Sequence, residues 1–233
     1  MKSTQNQEEQ KEISLARAGL ISGIGLLIMA LTVPFVEFYV FPQLISDNPS
    51  STFKNITENK QLFTIGIFFH FITLICDVIV AWSLYIFLKP VFKSLSLLTA
   101  SFRLIYTAMY LVALANLVKV LTIINNSTEV VNQTQINDTI MFYLNSFKIE
   151  WSFALLIFGI YLISLGYLVL KADYVPNIFG ILLVIAGFGY TINTFFQFLF
   201  PNVSTGYLIV TFFGELIFML WLLIKGSRLQ TTK

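Results

Sequence analysis

The sequence predicts an all-α, polytopic transmembrane helical bundle of about six membrane-spanning helices. Three observations carry that prediction. Hydrophobic residues make up 57% of the 233 and charged residues 11%, against about 45–50% and about 25% in a soluble domain. The mean hydropathy is +0.80, and a soluble fold of this length needs more polar surface than such a chain supplies. The apolar residues also fall into six runs long enough for a bilayer core, which takes about 20 residues per helix.

The first run, 18–41, exceeds the roughly 7–15 apolar residues of a cleavable leader, so a retained span is expected. Pro34 inside it predicts a kink in its outer part. The second and third runs, 62–88 and 95–124, are joined by KPVFKS and form a tight antiparallel hairpin. The fourth and fifth, 151–170 and 178–200, are joined by KADYVPN, with Pro176 suited to a helix start. The sixth is 207–224. Residues 1–17 and 226–233 are read as tails around one six-helix domain, 18–225. Two longer polar connections remain, 42–61 and 125–150. The second half of the latter (IMFYLNSFKIEW) has helical periodicity, so it either extends the fourth helix or lies in the interface. No internal repeat is evident.

Charge sets the expected orientation. One side carries Lys2, Lys11, Arg17, Lys89, Lys93, Lys171, Lys225, Arg228 and Lys233; the other carries Lys54, Lys60, Lys148 and Lys119. The positive-inside rule then places both termini in the cytoplasm and the chain in the cell membrane. Sequons begin at Asn55, Asn125, Asn126, Asn132, Asn137 and Asn202, in loops assigned outside. Loops rich in Asn and Thr generate such triplets by chance, and chance is the expectation here.

Ionisable side chains are costly at a helix centre, about 2.5–3.5 kcal/mol on translocon scales, so they face the bundle interior and pair. Asp77 and Arg103 are the sharpest pair. Each lies 13 residues from Pro90 in the hairpin turn, which puts both roughly 20 Å from it. Equal depth on adjacent antiparallel helices predicts a salt bridge, although azimuth is left open. Tyr106, Thr107 and Tyr110 follow Arg103 at helical spacing and are candidates to complete its hydrogen bonding. Glu215, beside Gly214 in the sixth span, is a candidate second carboxylate for Arg103. His70 precedes Asp77 by seven residues and so shares its helix face, with Thr73 between them. Glu37 and Glu150 sit near the outer span ends and are secondary candidates. Against a ligand site stands the plainer alternative, a buried ionic lock that fixes helix register.

Other chemistry is poorly supported. There is no Walker motif, nucleophile elbow, HExxH or dinucleotide fingerprint. One histidine and one cysteine make a zinc site improbable, and no cofactor is expected. Cys76 reads as a small core residue. GFGY (187–190) sits inside a continuous apolar run, so packing through Gly180, Gly187 and Gly189 is favoured over a channel filter. A net charge of +2 offers no basic field for nucleic acid. The bilayer is the expected partner, with a small polar ligand or ion next.

The order of motifs resembles a prokaryotic multi-pass membrane-protein family known as domain of unknown function 4386. The resemblance spans nearly the whole chain. It is carried by CDVIVAWSLYIFLKPV with Asp77, LLTASFRLIYTA with Arg103, FGIYLISLGYLVLKADYVPNIFGILLVIAGFGY, and GELIFMLWLLIKG with Glu215. It implies a prokaryotic multi-pass membrane protein, with Asp77, Arg103 and Glu215 at its polar positions, and it implies no activity. Function is expected to be that of a small transporter-like or ligand-binding bundle. The alternative is a non-catalytic sensor, assembly or partner-binding subunit. An intramembrane enzyme using His70 with Glu37 or Glu150 as acid and base is the least supported.

Overall fold

Residues 13–126, 133–200, 202–203 and 205–229 are described by a computed structural model. Among them the structure is helical with no strand, and six helices are long and apolar enough to cross a membrane. Helix α1 (Leu15–Phe35) begins at Ser14, whose hydroxyl accepts from Arg17 N–H at 3.3 Å. It runs through a wide π-helical turn (Val36–Val40) into α2 (Phe41–Leu44). Then follow α3 (Pro49–Glu58), α4 (Lys60–Leu88), α5 (Lys93–Asn126), α6 (Gln133–Leu170) and α7 (Asn177–Leu199). A 3-10 segment (Gly206–Phe212) leads into α8 (Phe213–Ile224), which closes in a 3-10 turn at Gly226–Arg228.

The spans differ from the sequence expectations at four places. Pro34 lies inside α1, and the irregularity comes just after it. The helix widens between Pro34 and Pro42, neither of which can donate a backbone hydrogen bond. The fourth helix starts at Gln133 rather than 151, so the periodic segment extends it outward; its Ile136, Ile140, Leu144 and Phe147 are buried along one face. The connection 42–61 holds α3, which packs on α6. Asn48 caps it by accepting from Ser50 and Ser51 N–H at 2.9 and 3.1 Å. The first third of the sixth span is 3-10 rather than α. The sequon position Asn137 is not in a loop: it is buried in α6 and donates to Ser50 Oγ at 3.0 Å, leaving no room for a glycan. Asn132 lies outside the described residues.

The six spans form a closed ring. Helix α1 packs on α4, α4 on α5, α5 on α6, α6 on α7, α7 on α8, and α8 back on α1. The outward faces are apolar, with Leu31, Phe68 and Val112 all more than 60% exposed; a soluble monomer rarely shows so much apolar surface, whereas lipid covers it. Close contact inside the ring comes from small residues. On α6 and α7, Gly159 faces Gly187 and Gly166 faces Gly180, so that a Cβ at Gly166 would stand 2.7 Å from Gly180 O and one at Gly187 2.7 Å from Gly159 O. Paired glycines let the two backbones touch, which is how helices associate where lipid removes the hydrophobic drive. Gly214 approaches Leu182 O in the same way. Helices α1 and α4 are pinned by hydroxyl pairs, Ser22–Ser83 at 2.7 Å and Thr32–Thr73 at 3.0 Å.

The ring has two unlike ends. At the terminal end, tight turns follow α4 and α6, and Tyr174 donates to Phe87 O at 2.5 Å. Burial pushes the Tyr174 hydroxyl well above its ordinary range, so it keeps its proton for that bond. At the loop end, α2, α3 and the projecting parts of α5 and α6 form a small cap. Helix α6, 38 residues long, is about 57 Å from end to end, nearly twice the hydrocarbon thickness.

Candidate functional site

The centre of the ring is polar, and every span contributes to it. Arg103 of α5 is 1% exposed and Asp77 of α4 is fully buried. Arg103 Nη2 donates to Asp77 Oδ1 at 2.5 Å. Its Nη1 donates to the Tyr161 hydroxyl of α6 at 2.8 Å, and the guanidinium lies over the Tyr161 ring, 4.9 Å from the centroid. Met29 Sδ of α1 stands 3.7 Å from Nη2. Glu215 of α8 is within electrostatic reach of Arg103 and of Tyr190 of α7, and no ion pair joins it to Arg103. The equal-depth argument thus ends in contact between Asp77 and Arg103, while Glu215 is nearby rather than bonded.

The centre is incompletely satisfied. Asp77 Oδ2, Arg103 Nε and Glu215 Oε1 are buried with no hydrogen-bond partner, as is Thr99 Oγ1 one turn away on α5. Orphaned buried polar atoms cost about 1–3 kcal/mol each, and more when charged. Between this centre and the terminal end lies a cavity of ≈10 Å³. Thr99, Tyr161, Tyr85 and Ser96 line it among apolar side chains; its size is at the threshold for a single water.

His70 does not join this centre. Two helical turns toward the loop end, its Nδ1 is hydrogen-bonded to the Tyr110 hydroxyl, and its Nε2 stands 3.6 Å from Glu37 Oε1. Tyr106 and Tyr110 therefore do not serve Arg103 as expected. The Tyr106 hydroxyl accepts from Trp151 Nε1 at 3.2 Å, and Tyr110 stacks on the Trp151 ring at 5.1 Å. Thr107 bonds the Arg103 carbonyl at 2.8 Å rather than its side chain. Glu150 is further off still, accepting from Asn116 Nδ2 at 2.8 Å, with Lys119 donating to Asn116 Oδ1 at 3.3 Å. Among the described residues no three His, Cys, Asp or Glu side chains converge as metal ligands would.

Sequence reasoning missed Tyr161, Tyr190, Met29 and Thr99. Tyr161 was within reach of the same counting: it lies nine residues from the end of α6, and Arg103 lies ten from the start of α5. A search for charged partners alone passes over neutral donors such as tyrosine.

A sequence profile of the family described as Domain of unknown function (DUF4386) matches residues 21–226, the ring and every polar residue above. The chain belongs to this family. It is also similar to an archaeal protein of Archaeoglobus fulgidus described as an uncharacterized protein. The two are 36% identical over 160 residues, covering 69% of this chain and 83% of that one. No solved structure matches the chain. Family membership agrees with a multi-pass membrane protein and assigns no chemistry, so the site has to be read from its own geometry.

Proposed function

We propose that the ring is a small carrier-like bundle whose centre binds a small polar ligand or ion through Asp77, Arg103 and Glu215. The observation that supports this is the set of orphaned atoms, one from each of these side chains. Two carboxylates face one guanidinium, so a centre with both ionised carries one negative charge in excess. A proton, a monovalent cation or a donor group of a polar ligand balances it. The net charge of the centre favours a cationic occupant over an anionic one. We place both termini in the cytoplasm of a cell-membrane protein, on the nine-to-four excess of Lys and Arg that the sequence assigns to their side.

A second reading has its own support. The cavity beside the centre is water-sized and the ring is closed, as suits a sensor, assembly or partner-binding subunit whose buried charges only hold the helices in register. Thermal unfolding in lipid nanodiscs separates the two readings. Protons, Na+, K+ and small amines are screened at constant ionic strength. The carrier reading expects one of them to raise the wild-type Tm and Asp77→Asn, still folded, to lose that response. A flat response across the panel contradicts it. So does a charge-swapped protein (Asp77→Arg with Arg103→Asp) that folds and responds unchanged.

A further inference from the structure

The site around His70 is built differently and does not depend on what the deeper centre binds. Its Glu37 comes from the π-helical turn Val36–Val40, an irregularity that recurs at functional sites. Glu37 Oε1 and His70 Nε2 are 3.6 Å apart, beyond hydrogen-bond range, and both are buried without a hydrogen-bond partner. That spacing suits two bare acceptors facing each other. On the far side of the imidazole, Nδ1 meets the Tyr110 hydroxyl, which accepts from a ring N–H as readily as it donates. The His70 ring is 0% exposed, and the rings of Phe41, Tyr110, Phe147 and Trp151 surround it at 5.3–5.9 Å. Glu37 keeps 27% of its side chain exposed, a way in for a proton that His70 lacks. The other titratable groups here are Lys148 of α6, within electrostatic reach of Glu37, and Tyr106 of α5, beyond Tyr110. Asp77 is two turns away on α4 itself.

From this geometry we infer that Glu37, His70 and Tyr110 form a proton-binding site entered from the loop end. With His70 neutral, the Glu37–His70 pair carries the single negative charge of the carboxylate. One proton makes the pair neutral overall and satisfies both orphaned atoms at once. The step balances simply. A hydronium ion or protonated buffer gives up its O–H or N–H bond as the Glu37 O–H bond forms, leaving water or the conjugate base. The Glu37 O–H bond then breaks as Nε2–H forms, leaving imidazolium beside carboxylate, with Nδ1–H donating to Tyr110.

The chain contains one histidine, so the nitrogen NMR spectrum of full-length, His-labelled protein in nanodiscs reports this ring alone. Between about pH 8 and pH 4, a span that covers the ordinary histidine range and extends below it, the ring converts from a neutral tautomer with Nε2 bare to imidazolium. Glu37→Gln moves the midpoint by about one pH unit or more. A ring that stays neutral throughout overturns the proposal, as does a midpoint that moves by less. If Glu37→Gln does not fold, Glu37→Asp, which withdraws the carboxylate by one methylene, is read by the same criterion. Failure here leaves the ligand reading of the deeper centre untouched.

Discussion

Asp77–Arg103 and His70–Tyr110 are the same construction at two depths. Each joins α4 to α5 across the hairpin, the first with both partners 13 residues from Pro90, the second with both 20 residues from it. What differs is the company. The deeper layer holds a full ion pair, and the two Nη groups of Arg103 also meet Tyr161 and Met29 on the facing helices, while its Nε stays unpartnered. The layer nearer the loop end holds an imidazole, enclosed by aromatic rings and answered by one partly exposed carboxylate. A fixed charge is tolerated where all six helices converge on it. A group whose charge can change sits where one partner still reaches the surface.

Removing the fixed charge breaks this contrast most severely. Arg103→Met leaves Asp77 and Glu215 without their cation, and the loss is expected to be about 3–5 kcal/mol, read as collapse of folded yield and of Tm in nanodiscs. Tyr161→Phe keeps the ion pair but strips Nη1 of its acceptor. The cost expected is about 1.5–3 kcal/mol, with the fold intact by circular dichroism. Tyr110→Phe does the corresponding damage to the other layer. Because a neutral imidazole–hydroxyl bond is weaker than one to a guanidinium, the cost there is smaller, about 1 kcal/mol. Should Tyr110→Phe prove worse than Tyr161→Phe at neutral pH, the assignment of fixed and changeable charge to the two layers is reversed. Trp151→Phe removes the donor to Tyr106 while keeping an aromatic ring beside His70, and about 0.5–1 kcal/mol is expected.

Much of this was legible in the residues, and the reasons for the remainder are physical. Six spans, the hairpin and the common depth of Asp77 and Arg103 follow from rise per residue and the price of a charge in hydrocarbon. The same count would have paired His70 with Tyr110, but attention to charge put His70 with Asp77, because both share a face of α4. Two turns of separation, roughly 10 Å, keep them in different layers. The reach of α6 to Gln133 was readable as periodicity, and only its packing on α3 decided that the segment continues the helix. Glu37 was the least legible. In a regular α1 its azimuth would differ, and it is the widened turn between two prolines that brings it to His70. Of the α7 glycines read from the sequence as packing residues, Gly180 and Gly187 meet Gly166 and Gly159 of α6, which that reading did not name, while Gly189 faces Thr211 instead.

The most direct test of a ligand-binding centre is a cryo-electron-microscopy map of the full-length protein in nanodiscs, at a resolution that shows ordered water and ions. The expected result is a density peak within about 3.2 Å of Asp77 Oδ2, Glu215 Oε1 or Arg103 Nε, weakened in Asp77→Asn. A dry centre, in which these three side chains have turned to satisfy one another completely, would contradict it.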